Sequence, residues 1–190
     1  ISVFPGSRKS EIEVLTPILL ETIKILNESN KDITYVFHST KEYSSSIQTY
    51  ISKSELINCE VISDDKIKSH ILRKSIFAIA KSGTVSLEIS NLKIPSIILY
   101  KMNFINFLIV KMLVKTKFAN IINIAAKKEI IPELLQGECN PKNISSKTIY
   151  FLDNPERMEE QIKETQLILK SLKSSNSSAQ QAGLSLNKFL

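Results

Sequence analysis

The 190-residue chain is poor in the side chains that build metal centres and covalent frameworks. It has two cysteines, Cys59 and Cys139, and two histidines, His38 and His70. Neither pair has the spacing of a metal site or a disulfide scaffold, so no metal or cofactor is expected. The compartment is expected to be reducing, and all four read most simply as core or surface residues. Apolar runs are also short: none reaches the roughly 20 residues of a membrane-spanning helix. An initiator methionine is missing, because Ile1 already lies in a strand-like run. A piece of a longer protein is therefore expected, and the absence of a signal peptide says nothing about the parent.

Acidic residues are absent from 89–128, forty residues that hold seven lysines. The rest of the chain carries 18 basic and 19 acidic residues, so the net charge of +6 comes from that block alone. Apolar content of 43% and charged content of 23% are ordinary for a globular chain. The length suits one domain with a real core.

β-Branched runs alternate with helix-period segments. Strands are expected at 1–4, 33–38, 59–62, 77–80 and 96–100, with a weaker one at 120–124. Helices are expected at 10–27, 41–53, 65–73, 84–92, 104–116, 129–136 and 154–173. Ser10 and Glu13 have capping-box spacing and predict a helix start at Ser10, while Pro17 should bend that helix or mark its effective start. The alternation implies βαβ units: an α/β, doubly wound, mostly parallel Rossmann-like sheet. Residues 1–153 form the expected nucleotide-binding domain, and 154–190 a C-terminal helical segment. The polar 174–183 stretch reads as a hinge before a short docking helix, through which two copies could exchange C-terminal helices as a homodimer.

Ligands of such sheets sit beyond the carboxyl ends of the strands, near a switch in strand order. Two loops qualify. The first is "PGSR", where Gly6, Ser7 and Arg8 precede a helix and present an anion cradle with an arginine fork. The second is "KSGTVSLE", where Ser82, Gly83 and Thr84 let a ligand approach the backbone closely. Glu88, one turn on, suits a ribose diol, or is simply an acid complementing a helix dipole. Each loop alone is a weak signal, and together they point to a phosphate-bearing ligand.

"PGSRKSEI", "KSGTVSLE", "IPSIILYK" and "NIINIAAKKEIIPELLQGECNP", in this order and spacing, resemble the carboxyl-terminal half of the lipid-A-disaccharide synthases over about residues 1–150. The resemblance implies one half of a GT-B glycosyltransferase, with the amino-terminal acceptor domain absent. It implies transfer of diacylglucosamine from UDP-2,3-diacylglucosamine to 2,3-diacylglucosamine 1-phosphate, giving a β-1,6 disaccharide and UDP with inversion. The catalytic base is implied in the missing half, leaving this fragment inactive alone. Matched residue by residue, Ser7, Arg8, Ser82, Gly83, Thr84 and Glu88 would meet UDP, and Asn123 and Glu129 would face the cleft. Where the family reads Pro, Gly and Arg around Asn123, this chain has Ile122, Lys127 and Lys128. A lysine on a positive-φ glycine position is strained, and Lys128 cannot copy a bidentate arginine.

The segment "KMNFINFLIVKMLVKTKF" reads either as a buried helix with edge lysines or as an interfacial patch. In the second reading Lys111, Lys115 and Lys117 would meet an anionic membrane surface, as suits acylated substrates. Nucleic acid fits poorly, for want of arginine and stacking aromatics. The expected location is cytoplasmic, peripheral at the inner membrane of a Gram-negative bacterium. The competing readings are another GT-B enzyme or UDP-sugar epimerase, a folded inactive remnant, and a lipid-surface module without catalysis.

Overall fold

The structure, a computed structural model, describes residues 1–29, 32–101 and 118–174. Six short strands form one sheet: β1 (Ser2–Phe4), β2 (Tyr35–His38), β3 (Cys59–Ile62), β4 (Ala78–Lys81), β5 (Ser96–Tyr100) and β6 (Glu133–Leu135). Their order is β3-β2-β1-β4-β5-β6, and every neighbouring pair is parallel. This is the doubly wound α/β architecture expected from the alternating pattern.

Side-chain alternation sends each strand's residues to two cores. Val3, Phe37, Ile79 and Leu99 pack with Leu15, Leu19 and Ile23 of α1 (Lys9–Asn27), with Ile47 of α2 (Ser44–Ser54) and with Phe151 of α6 (Pro141–Asp153). Ala78, Ala80 and Ile98 pack on the other face against Leu72 of α3 (Asp65–Lys74) and Ile89 of α4 (Val85–Asn91). Ile122 of α5 (Ile121–Ala126) and Leu169 of α7 (Pro155–Ser174) complete that second core. Strands covered on both faces read as apolar runs, which is why they were legible.

Several local expectations change. The first helix starts at Lys9 with Arg8 as N-cap, so Glu11, not Glu13, is the acid at the third helical position. Pro17 neither starts nor ends α1. It is exposed in mid-helix, between the buried Thr16 and Leu19. The 120–124 run, rich in isoleucine, is helix α5: Asn120 accepts from Ile122 N–H at 2.8 Å, and the Glu133 carboxylate accepts from Ala119 N–H at 2.6 Å. Tertiary capping thus overrides β-propensity. Residues 129–136 lead into strand β6 instead of a helix, because Glu133–Leu135 pair with Ile98–Tyr100. Helix α6 was not anticipated, since its buried face alternates Ile144, Ser145, Thr148 and Phe151 and gives a thin apolar stripe. Its Asn140 cap and first-turn Pro141 were the available signal. The helix expected at 104–116, residues 175–183 of the polar hinge and the segment after it lie outside the described residues.

Helix α7 is fastened to the sheet by a side chain. Ser96 N–H donates to Gln161 Oε1 at 2.7 Å, and Gln161 Nε2 donates to Ser96 O at 3.0 Å, both buried. Gln161→Ala leaves both Ser96 groups unpaired, so urea unfolding should show a loss of about 1–3 kcal/mol. An unchanged midpoint would mean α7 is not docked through this residue.

Candidate nucleotide site at the switch point

The chain winds to the α1 face after β1 and to the α4 face after β4, so the loops following these adjacent strands diverge. A cavity of about 450 Å³ opens there. The β1–α1 loop contributes Gly6 and Ser7, the β4–α4 loop contributes Ser82, Gly83 and Thr84, and Glu88 comes from α4. Six of the nine ligand contacts expected from the sequence thus line one space. Added to them, and not foreseen, are Glu11, Lys81, Lys68 of α3, His38 at the end of β2 and Ser39 and Thr40 just after it. Glu11 and Lys81 lie within the segments PGSRKSEI and KSGTVSLE without being singled out there, and Lys68 and residues 38–40 join them only through strand order.

The first loop is not an open cradle. Gly6 has φ +118°, a conformation that favours glycine, and brings the chain back over Glu11. The Glu11 carboxylate accepts from Ser7 N–H at 3.0 Å and Arg8 N–H at 3.3 Å, and pairs with Lys81 Nζ at 2.8 Å. Burial works to raise the Glu11 pKa, but the hydrogen bonds from Lys81 and these amides, with the lysine charge, outweigh it and hold it below the ordinary value. The expected pyrophosphate position on these two amides is therefore filled by a carboxylate of the chain itself. Arg8 points outward: its side chain is 79% exposed and lies 3.6 Å from Glu11.

In the second loop Ser82 Oγ donates to Ala119 O at 2.9 Å, so its proton is committed to the fold. Thr84 is exposed and makes no cap hydrogen bond with its side chain. A Cβ at Gly83 would meet nothing within 4 Å. Glu88 is exposed at the cavity wall.

Asn123 is held elsewhere. It is fully buried, accepts from Ile130 and Ile131 N–H at 2.8 and 3.0 Å, and donates to Ile131 O and Glu133 Oε1, each at 2.7 Å. All its hydrogen-bonding capacity is spent on the loop before β6 and on Glu133 of β6 itself, and it does not line the cavity. Glu129 is exposed and accepts from Glu133 N–H at 3.1 Å, away from the cavity lining. Lys127 has φ +55°, in the left-handed region that favours glycine, the residue the resemblance implied there. Lys128 pairs with Glu164 of α7 at 2.6 Å. Lys111, Lys115 and Lys117 lie outside the described residues. Among those described, no helix is long and apolar enough to cross a membrane.

His38 closes the cavity floor. Its ring stacks on Phe4 with centroids 4.2 Å apart. Ser75 Oγ donates to Ile71 O at 3.1 Å, and Ser2 Oγ lies 2.7 Å from Ser75 Oγ and 2.8 Å from His38 Nε2. All three contacts hold together only if Ser2 donates to Ser75 and His38 Nε2–H donates to Ser2. Burial, with smaller contributions from Lys68 and the N-terminal charge, pushes the His38 pKa down to about 4. The unfolded imidazole binds its proton near 6.5, so between these values the unfolded chain takes up more protons and stability falls as pH is lowered.

An imidazole NMR titration should therefore find His38 neutral at pH 5.5, with stability declining from about pH 6.5 towards 4; a midpoint above 6 would contradict the buried network. Gly6→Ala should destabilise the chain by about 1–3 kcal/mol, since its Cβ would lie 2.5 Å from Glu11 Oε2 on a strained backbone. A fully stable Gly6→Ala chain would mean the loop is free to rearrange.

The model of the family described as lipid-A-disaccharide synthetase matches residues 1–186. A lipid-A-disaccharide synthase of Sulfurihydrogenibium sp. is 32% identical over 180 residues, covering 90% of this chain and 46% of that protein. One of Rickettsia bellii is 35% identical over 169 residues, covering 88% and 43%. The chain thus spans less than half the length of these curated relatives. Among solved structures, the C-terminal domain of a group 1 glycosyltransferase from Francisella tularensis superposes with a TM-score of 0.59 at 11% identity, covering 90% of this chain and 84% of that one. A UDP-GlcNAc 2-epimerase from Neisseria meningitidis bound to UDP-GlcNAc gives 0.58 at 13%, covering 92% and 44%. These likenesses establish the Rossmann-like fold, and the sequence match carries the rest: the chain belongs to the lipid-A-disaccharide synthetase family.

Proposed function

We propose that this chain is the donor-binding half of a lipid-A-disaccharide synthase and holds UDP-2,3-diacylglucosamine at the switch-point cavity. The observation that carries the reading is the convergence of both small-residue loops and Glu88 on one space between diverging crossovers. The Glu88 carboxylate accepts from the ribose diol. The Gly83 backbone and the Thr84 hydroxyl face the phosphates, while the exposed Arg8 guanidinium meets them from the rim. The acceptor, 2,3-diacylglucosamine 1-phosphate, is supplied on the amino-terminal half together with the base that deprotonates its 6-hydroxyl. That oxygen attacks the anomeric carbon, UDP leaves with the bonding pair, and the product is β-1,6-linked. This half contributes donor orientation and stabilisation of the leaving diphosphate, so alone it transfers nothing. Lys111, Lys115 and Lys117 bring the site to an anionic lipid surface, where both acylated substrates reside.

A second reading has its own support. Lys127 sits in a left-handed conformation that costs a non-glycine residue something, and Lys128 is engaged by Glu164 of α7, away from the cavity lining. These suit a folded remnant that has lost its ligand.

Calorimetric titration with UDP separates the two. Saturable binding, weakened about tenfold by Arg8→Ala and similarly by Glu88→Gln, is expected of a working donor half. No heat of binding up to millimolar UDP, on this chain and on one joined to an amino-terminal half, would sink the donor reading in favour of the remnant.

A further inference from the structure

An ammonium at the end of a central strand needs a reason. Lys81 is the last residue of β4, which lies between β1 and β5, and its side chain is only 19% exposed. Ile79, two residues earlier and on the same face, packs into the α1-side core. An apolar residue at 81 would extend that core, whereas a lysine there must be compensated for lost hydration. Compensation comes from Glu11 Oε1 at 2.8 Å, with the Tyr100 ring centroid 5.8 Å from Nζ. Lys81 also lines the cavity, beside Gly6 and Ser82.

Glu11 has little freedom to leave. Its carboxylate is bonded to Ser7 and Arg8 N–H and to Lys81, and Gly6 presses so closely that a Cβ there would lie 2.7 Å from the Glu11 Cβ. It closes the Ser7 and Arg8 amides at the turn into α1, where a phosphate was expected. The ammonium has three N–H donors; one is spent on Glu11 and two remain. A carboxylate fixed on one side and an open cavity on the other turn the remaining donors towards that cavity.

We propose that Lys81 is the cation that receives the phosphate of the bound nucleoside diphosphate, and that Glu11 is the positioning residue that aims it. This deepens the donor-site reading and rests on it. Glu11 is then a fixed part of the site and not a competitor for the phosphate.

The test compares UDP and uridine binding to the 190-residue chain, with circular dichroism to confirm folding of each variant. Lys81→Met should weaken UDP about tenfold or more, as loss of a charge-assisted contact does, and leave uridine unchanged. Lys81→Arg, which keeps the charge, should lose less. Glu11→Gln should weaken UDP in the wild-type background and add nothing on top of Lys81→Met. Tighter UDP binding by Glu11→Gln would overturn the proposal, since Glu11 would then be occupying the phosphate's place. Equal losses of UDP and uridine in Lys81→Met would also overturn it, by marking a structural role. If the wild type binds UDP and neither variant changes it, the inference fails and the donor site stands. A wild type that binds neither ligand up to millimolar concentration, alone and when joined to an amino-terminal half, overturns both.

Discussion

Between β1 and β4 the chain's crossovers go to opposite faces of the sheet, and the crevice this divergence leaves governs everything else in the molecule. A parallel sheet must bury both faces under helices, so adjacent strands normally have neighbouring loops covered by neighbouring helices. At this one junction α1 and α4 lie on opposite sides. The two loops cannot pack on one another, and the space between them is lined by whatever the strand ends supply. Gly6, Ser7, Ser82 and Gly83 keep it open, and Glu88, Lys68 and Lys81 charge its walls.

The two regions flanking this crevice are stiffened by internal carboxylates. Glu11 binds the Ser7 and Arg8 amides just before α1, and Glu133 binds the Ala119 and Asn120 amides just before α5 at 2.6 and 3.0 Å. Ser82 then ties the β4–α4 loop to Ala119 O. Asn123 completes the arrangement by donating to Glu133 while holding both Ile130 and Ile131 amides. Amides at the turn into a helix are natural anion sites, and here the chain's own carboxylates bind two pairs of them. In the proposed site, phosphate recognition then falls to side chains, chiefly the lysine of β4 that Glu11 holds.

The sheet was legible because doubly buried strands are continuous apolar runs: 59–62 and 96–100 were bounded correctly, and the other early strands to within two residues. The candidate loops were legible because glycine, serine and arginine after a strand have a physical use there. Two kinds of feature were hidden. Helix α5 and strand β6 are decided by Glu133 and by pairing with β5, contacts that local propensity cannot see. Glu11, Lys81 and His38 come from three separate elements and meet only once strand order is known. Their individual residue types carry no spacing signal. Asn123 fits the family motif, but its side chain is wholly consumed by the loop before β6. A match to a motif therefore did not say whether the residue builds the site or touches the ligand.

The central claim is that the switch-point cavity is a nucleotide site, and the direct measurement is a ¹⁵N-resolved NMR titration of the chain with UDP. The account predicts saturable shifts concentrated at Ser7, Ser82, Gly83, Thr84 and Glu88, with His38 and Ser39 following at the cavity floor. Shifts centred on α6 or α7, or spectra unchanged up to millimolar UDP both in this chain and in one joined to an amino-terminal half, would contradict it.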